Sequence, residues 1–186
     1  MLSTAWIETV TSNRISKSAH ITGSDRIIIS GNSTIHPGVI LRGDVELLPS
    51  QSNPTANPTT IMLGKYCYLK QDASITPPVI KRAEDKVWHG PVNIGAYTVI
   101  GTNSIIKSAN IGNRVIIEDE CVLNNLSIVY DCCIIRQGTI IPEKFVIPPY
   151  SEVKGTPGKD FTITNLNPGY KSLIELEAKQ LQILGN

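Results

Sequence analysis

Seven side chains in this sequence could bind a metal or move a proton near neutral pH: His20, His36, His89, Cys67, Cys121, Cys132 and Cys133. The cysteines form no C-x-x-C pair, and no histidine lies at zinc-finger spacing from them. Cys132 and Cys133 are adjacent, and a disulfide between neighbours is strained. The thiols therefore read as buried or half-buried and reduced, as in a cytosolic protein. Acid–base chemistry would need a histidine held by a partner group. His20 lies in an irregular first stretch, and His36 precedes Pro37, a place for a surface or packing residue. Only His89, in Trp88-His89-Gly90, is placed like a catalytic loop histidine. No carboxylate stands at a spacing that orients it.

Charge narrows the partners. The 186 residues carry 17 Lys+Arg against 16 Asp+Glu, a net charge of +1. That balance gives no drive towards nucleic acid or an anionic membrane. Met1 to Trp6 lacks the basic and apolar regions of a signal peptide. No apolar run reaches the ~18 residues of a membrane span, so no membrane insertion is expected.

The elements that must position these residues come from a repeat. Ile94-Gly95, Ile100-Gly101 and Ile106 are followed by Ile111-Gly112, Ile117 and Leu123, then by Ile128, Ile134, Ile140 and Val146. Leu63-Gly64, Leu69 and Ile75 precede them, after Ile29, Ile35 and Leu41. Spacing of six within a set and five between sets gives a seventeen-residue turn. Neither a helix nor a meander has an apolar period of six; a triangular coil of short strands does. One aliphatic side chain per side points inward, each contributing about 1.5–3 kcal/mol. Gly95, Gly101, Asn103, Gly112 and Asn113 are expected to supply positive φ at the corners.

Two segments interrupt the coils. Residues 46–60 are rich in Pro, Asn, Ser and Thr and read as a loop. Residues 77–93 form a second loop, but they carry Val79, Ile80, Val87 and Trp88, and so either pack on the flank or await a partner. The repeat closes near Pro148-Pro149, and Gly155-Thr156-Pro157-Gly158 reads as a linker. Beyond it, Tyr170, Leu173, Ile174, Ala178 and Leu181 make one apolar face of a helix. The expected organisation is a β-helix over 1–158, then a linker and helix over 159–186.

Residues 35–44, ending in Arg42-Gly43-Asp44, together with Gln71-Asp72 and the Ile-Gly coils from 94 to 117, resemble the gamma-class carbonic anhydrases. The resemblance implies an all-β, single-stranded left-handed β-helix, against the usual handedness of crossovers. That family's three zinc-binding histidines correspond here to Pro77, Thr102 and Lys107. None is an imidazole, thiolate or carboxylate donor, so no metal and no cofactor are expected. Arg42, Asp44, Gln71 and Asp72 remain as structural hydrogen-bonding and ion-pairing groups.

A non-enzymatic family is matched over more of the chain. Ile7-Glu8-Thr9, Asn13-Arg14-Ile15-Ser16, Arg42-Gly43-Asp44 and residues 63–67 agree with its pattern. So do Pro77-Pro78, residues 118–122, Asp131-Cys132-Cys133, Ile147-Pro148-Pro149-Tyr150 and Gly155-Thr156-Pro157-Gly158. Across roughly residues 7–158 the sequence resembles the dynactin subunit five family. It departs in a longer 46–60 loop and in Val79, where that family has an aromatic. The resemblance implies a structural subunit of a pointed-end complex in an activator of the microtubule motor dynein, in the cytoplasm and cytoskeleton. Its implied partners are a paralogous β-helix subunit, other pointed-end subunits and cargo adaptors. Val79, Ile80, Lys81, Arg82 and Trp88 are the candidate partner contacts. The alternative is a homotrimeric hexapeptide-repeat acyltransferase, with His89 as base and acyl-CoA between subunits.

Overall fold

In the computed structural model, residues 5–49 and 58–185 are described. Runs of two to five extended residues stack into sheets of nine, six and six strands, which form the three faces of a triangular coil; the pairing is parallel except at the two ends of the nine-stranded sheet, where the outermost strands pair antiparallel. Each face contributes one inward aliphatic ladder. The first runs Ile15, Ile35, Leu69, Ile100, Ile117, Ile135, Val153. The second runs Ile21, Leu41, Ile75, Ile106, Leu123, Ile141. The third runs Ile29, Leu63, Ile94, Ile111, Val129, Ile147. From Ile35 onward these side chains are almost entirely buried. Phe145 and Phe161 meet edge to face near the C-terminal end, packed against this core.

The seventeen-residue period holds from Ile94 to Ile111 and lengthens to eighteen from Ile111 to Val129. The expected inward residues Ile128, Ile134, Ile140 and Val146 are therefore one place out of register. Val129, Ile135, Ile141 and Ile147 point inward instead, and Val146 is exposed. The cause lies at the third corner. In the longer coils it holds an extra left-handed residue, Leu126 at φ +61° and Lys144 at φ +58°. The seventeen-residue coil has no positive φ between Lys107 and Asn110. Aliphatic doublets such as Ile134-Ile135 hid the slip.

The corners also differ from expectation in which residue turns the chain. Of the residues expected to have positive φ, Asn103 does, whereas Gly95, Gly101, Gly112 and Asn113 do not; Tyr97 and Arg114 turn the chain instead. Glycine is needed because the coils stack too closely for a side chain. A Cβ on Gly101 would lie 2.3 Å from the Glu118 carbonyl carbon, and one on Gly95 would lie 2.5 Å from that of Gly112.

The C-terminal helix, Tyr170–Leu184, lies along the outside of the first face. Ile174 and Ala178 pack on Tyr68, Val99, Ile116 and Ile134, with Tyr170 and Leu181 at the margins. Leu173, expected on this face, is 57% exposed. Arg114 pairs with Glu175, the Thr34 hydroxyl donates to Gln182 at 2.8 Å, and the Tyr68 hydroxyl donates to the Gly185 carbonyl at 3.2 Å. The stretch expected to be all linker contains a strand, Thr162–Asn165, which pairs antiparallel with Ser151–Lys154. No helix among the described residues is long and apolar enough to cross a membrane.

Candidate functional site

The corner that closes the second face is where the coil opens outward. The residues that follow its inward ladder stack there: Arg42, Thr76, Lys107, Asn124 and Pro142. At the Thr76 rung the chain leaves the solenoid and returns at Val92. The excursion expected to be a loop is an antiparallel hairpin, Val79–Ala83 with Lys86–His89, turning at Glu84-Asp85.

The hairpin is fastened at its base. Asn125, on a later coil, accepts from the Val79 amide at 2.7 Å and donates to its carbonyl at 2.9 Å. The Gly90 amide donates to the Pro78 carbonyl, and the Ile80 side chain fills the space over Gly90. The start of the 46–60 segment joins its other edge. The His89 amide donates to the Glu46 carbonyl, the Leu48 amide donates to the His89 carbonyl, and Lys86 pairs with Glu46 at 2.9 Å. Residues 50–57 of that segment lie outside the described residues.

The predicted contact residues share this hairpin but not one environment. Ile80, Lys81 and Arg82 are exposed, whereas Val79 and Trp88 are half-buried. The Lys86 ammonium sits 4.3 Å over the Trp88 ring, which screens that ring from water.

Between the hairpin and the corner ladder runs a cleft of about 730 Å³. Arg42, Arg82, Lys107 and Lys144 line it with His89 and one carboxylate, Glu143. His89 Nδ1 lies 2.8 Å from the Pro77 carbonyl. A carbonyl only accepts, so Nδ1 carries the proton and, in the neutral ring, Nε2 the lone pair. A backbone carbonyl thus orients the ring where an acid–base histidine commonly has a carboxylate.

The positions corresponding to the zinc ligands do not converge. Pro77 and Lys107 line the cleft, while Thr102 lies on another corner with its amide donating to Asp119 at 2.8 Å. Among the described residues, no three of His, Cys, Asp or Glu group as a metal site would need. The four cysteines are free and buried. Burial pushes the Cys67 thiol up to about 12, and those of Cys121 and Cys133 to about 11. These three thiols donate to a carbonyl of the neighbouring coil: Cys67 to Gly95, Cys121 to Arg136 and Cys133 to Pro148.

The four polar motif residues are separated. Asp44 accepts from the Thr22 hydroxyl at 2.7 Å. That bond first, helped by its own amide and the charges of Arg42 and Arg26, holds its carboxyl below the usual range against the desolvation that opposes it. Asp72 takes left-handed backbone, and its carboxylate fills the space that a side chain on Gly38 would need. The Gln71 carbonyl accepts from the Asn103 amide, and Arg42 lines the cleft. His20 is exposed; His36 packs between Trp6 and Tyr68 at centroid distances of 5.5 and 4.8 Å. Asn125 and Lys144 were not singled out from the sequence. Reading one residue beyond each second-face aliphatic would have exposed the Arg42–Lys107 stripe.

Solved structures share the architecture. A hexapeptide transferase family protein from Anaplasma phagocytophilum superposes with a TM-score of 0.65 at 18% identity, covering 94% of this chain and 91% of its own. The acetyltransferase domain of PglB from Neisseria gonorrhoeae reaches a TM-score of 0.57 at 14% identity, covering 82% and 57%. These likenesses establish the fold as a hexapeptide-repeat left-handed β-helix. In sequence, the chain is 33% identical over 108 residues to Dynactin subunit 5 of Dictyostelium discoideum, which covers 58% of this chain. The match spans 48% of that relative, about half its length. The family model for Dynactin subunit 5 matches residues 2–167, from the first strands through the last coil, and so the chain belongs to the Dynactin subunit 5 family.

Proposed function

We propose that this chain is a non-enzymatic structural subunit of dynactin, held in its pointed-end complex and supporting dynein-based transport in the cytoplasm. The family match over residues 2–167 carries the reading. The geometry is consistent with a scaffold. Stacked coils make a rigid body, and a hairpin clamped by Asn125 projects from one corner with Ile80, Lys81 and Arg82 towards solvent. The contacts we assign to the other subunits, among them a paralogous β-helix subunit, and to cargo adaptors are Val79, Ile80, Lys81, Arg82 and Trp88. Arg42, Asp44, Gln71 and Asp72 are assigned structural roles at the corners. The domain boundary is placed at residue 158, with the strand and helix beyond it belonging to the same packed body.

The test is recovery of the tagged chain from its own cells. It should come down in a large assembly with other dynactin subunits, and Ile80→Asp with Trp88→Ala should cut that recovery without shifting thermal unfolding. A lone homotrimer that binds acyl-CoA would overturn the scaffold reading in favour of a transferase. Undiminished recovery of the double variant would remove the hairpin from the interface.

A further inference from the structure

The cleft beside the hairpin concentrates charge that the molecule as a whole does not have. The net charge is +1, yet four cations and one carboxylate line this recess. Arg42, Arg82, Lys107 and Lys144 make no ion pair among the described residues, although six other pairs do form. Glu143 lines the recess and Arg42 also acts on the Asp44 carboxylate, but cations outnumber carboxylates in the lining; the surplus like charges repel one another, and an anion arriving from outside relieves that repulsion.

The shape of the stripe defines the anion. Successive coils stack about 4.8 Å apart. Arg42 and Lys107 are therefore about 10 Å apart along the solenoid axis. Lys144, just past the Pro142 rung, is about 19 Å from Arg42. A single compact ion reaches one or two rungs. An extended peptide at about 3.3 Å per residue covers this length with roughly six residues. The hairpin wall adds apolar surface beside Arg82 and His89: Ile80 and Val87 line the cleft and are 47% and 36% exposed. A segment mixing carboxylates with aliphatic side chains matches both surfaces.

We propose that this cleft docks an extended acidic segment of a partner protein, with its carboxylates on Arg42, Arg82, Lys107 and Lys144 and its aliphatic side chains against Ile80 and Val87. The docking rests on the reading of the hairpin as a partner contact, with which it shares Ile80 and Arg82, and gives that contact its chemistry.

The experiment is a fluorescence-anisotropy titration of the purified full-length chain. The probe is a labelled peptide of about eight residues, mostly Glu with interspersed Leu. Saturable binding at low ionic strength should weaken as salt is raised and should be lost when Gln replaces Glu in the probe. Arg82→Glu with Lys107→Glu should weaken binding about tenfold or more, and Lys159→Glu, outside the cleft, should leave it unchanged. Both cleft substitutions fall on exposed side chains, and an unchanged thermal midpoint would show that the fold is intact. Failure of the Glu probe to bind, equal binding by the double variant, or binding only of inorganic phosphate or anionic vesicles would each overturn the proposal. Recovery with the dynactin subunits is read on the tagged chain from cells and this titration on the purified chain with a Glu-rich probe, so recovery without probe binding would overturn the docking alone, and probe binding without recovery would overturn the subunit reading alone.

Discussion

The corner before the first face turns on Tyr66, Tyr97, Arg114, Cys132 and Tyr150, all in left-handed backbone. Each costs about 1–2 kcal/mol relative to ordinary backbone. The cost is offset because each amide donates to a carbonyl of the previous coil, as Tyr97 does to Lys65 and Arg114 to Ala96. Tyr66 and Tyr97 also stack at 5.1 Å. Glycine serves a different need two residues before such turns, at Gly95 before Tyr97 and, on the next corner, at Gly101 before Asn103, so Gly101→Ala should destabilise by about 1–3 kcal/mol, read as a lower urea midpoint. His36 gives a second test at this scale. Burial, then the charges of Arg14 and Lys70, lowers its pKa from 6.5. The folded state thus favours the neutral ring. Stability from this residue is complete above 6.5 and declines as pH falls, because the unfolded chain takes up the proton first. Unfolding free energy should drop as pH falls below 6.5, and His36→Asn should flatten that dependence.

Among the elements, the helix and the hairpin solve the same problem differently. The helix binds its own solenoid through an outward aliphatic ladder, Val99, Ile116 and Ile134, backed by the Arg114–Glu175 pair. That pairing lowers the Glu175 carboxyl and raises the Arg114 guanidinium. Both groups keep partial water contact, so the bond mainly sets helix register. Packing supplies most of the energy. Ile174→Ala should cost about 2–5 kcal/mol, whereas Leu173→Ala on the exposed side should stay within about 0.5 kcal/mol. Equal losses in the two denaturation curves would show that the helix seats on a different face. The hairpin is held by polar bonds at its base and leaves Ile80 and Val87 uncovered. Its reading as a partner contact belongs to this contrast.

At the scale of the molecule, the three faces have different outer surfaces. The first is covered by the helix. The second carries Ile40, Ser74, Ile105, Val122 and Ile140, with Ile40 and Ile105 partly open to water. The third has Ile28, Met62 and Val146 exposed towards its ends and Asn93 and Asn110 between them. The corner between the second and third faces holds the cleft and hairpin. Scaffold function needs such distinct surfaces on a body that does not deform, and parallel ladders tied rung to rung supply the stiffness.

The six-residue aliphatic period, aromatic scarcity and near-neutral charge together determined the coil, its inward ladders as far as Leu123 and the amphipathic C-terminal helix. Periodicity reports which side chains must leave water, and that is a local property of the chain. Tertiary structure alone decided the eighteen-residue coils, because an aliphatic doublet such as Ile134-Ile135 satisfies either register until the helix claims one side chain and the core the other. It also decided why Gly95 and Gly101 are glycine, since the atoms that exclude a Cβ belong to the next coil. The cleft was hidden for the same reason. Arg42, Lys107 and Lys144 are far apart in sequence and line up along one corner only when successive coils stack.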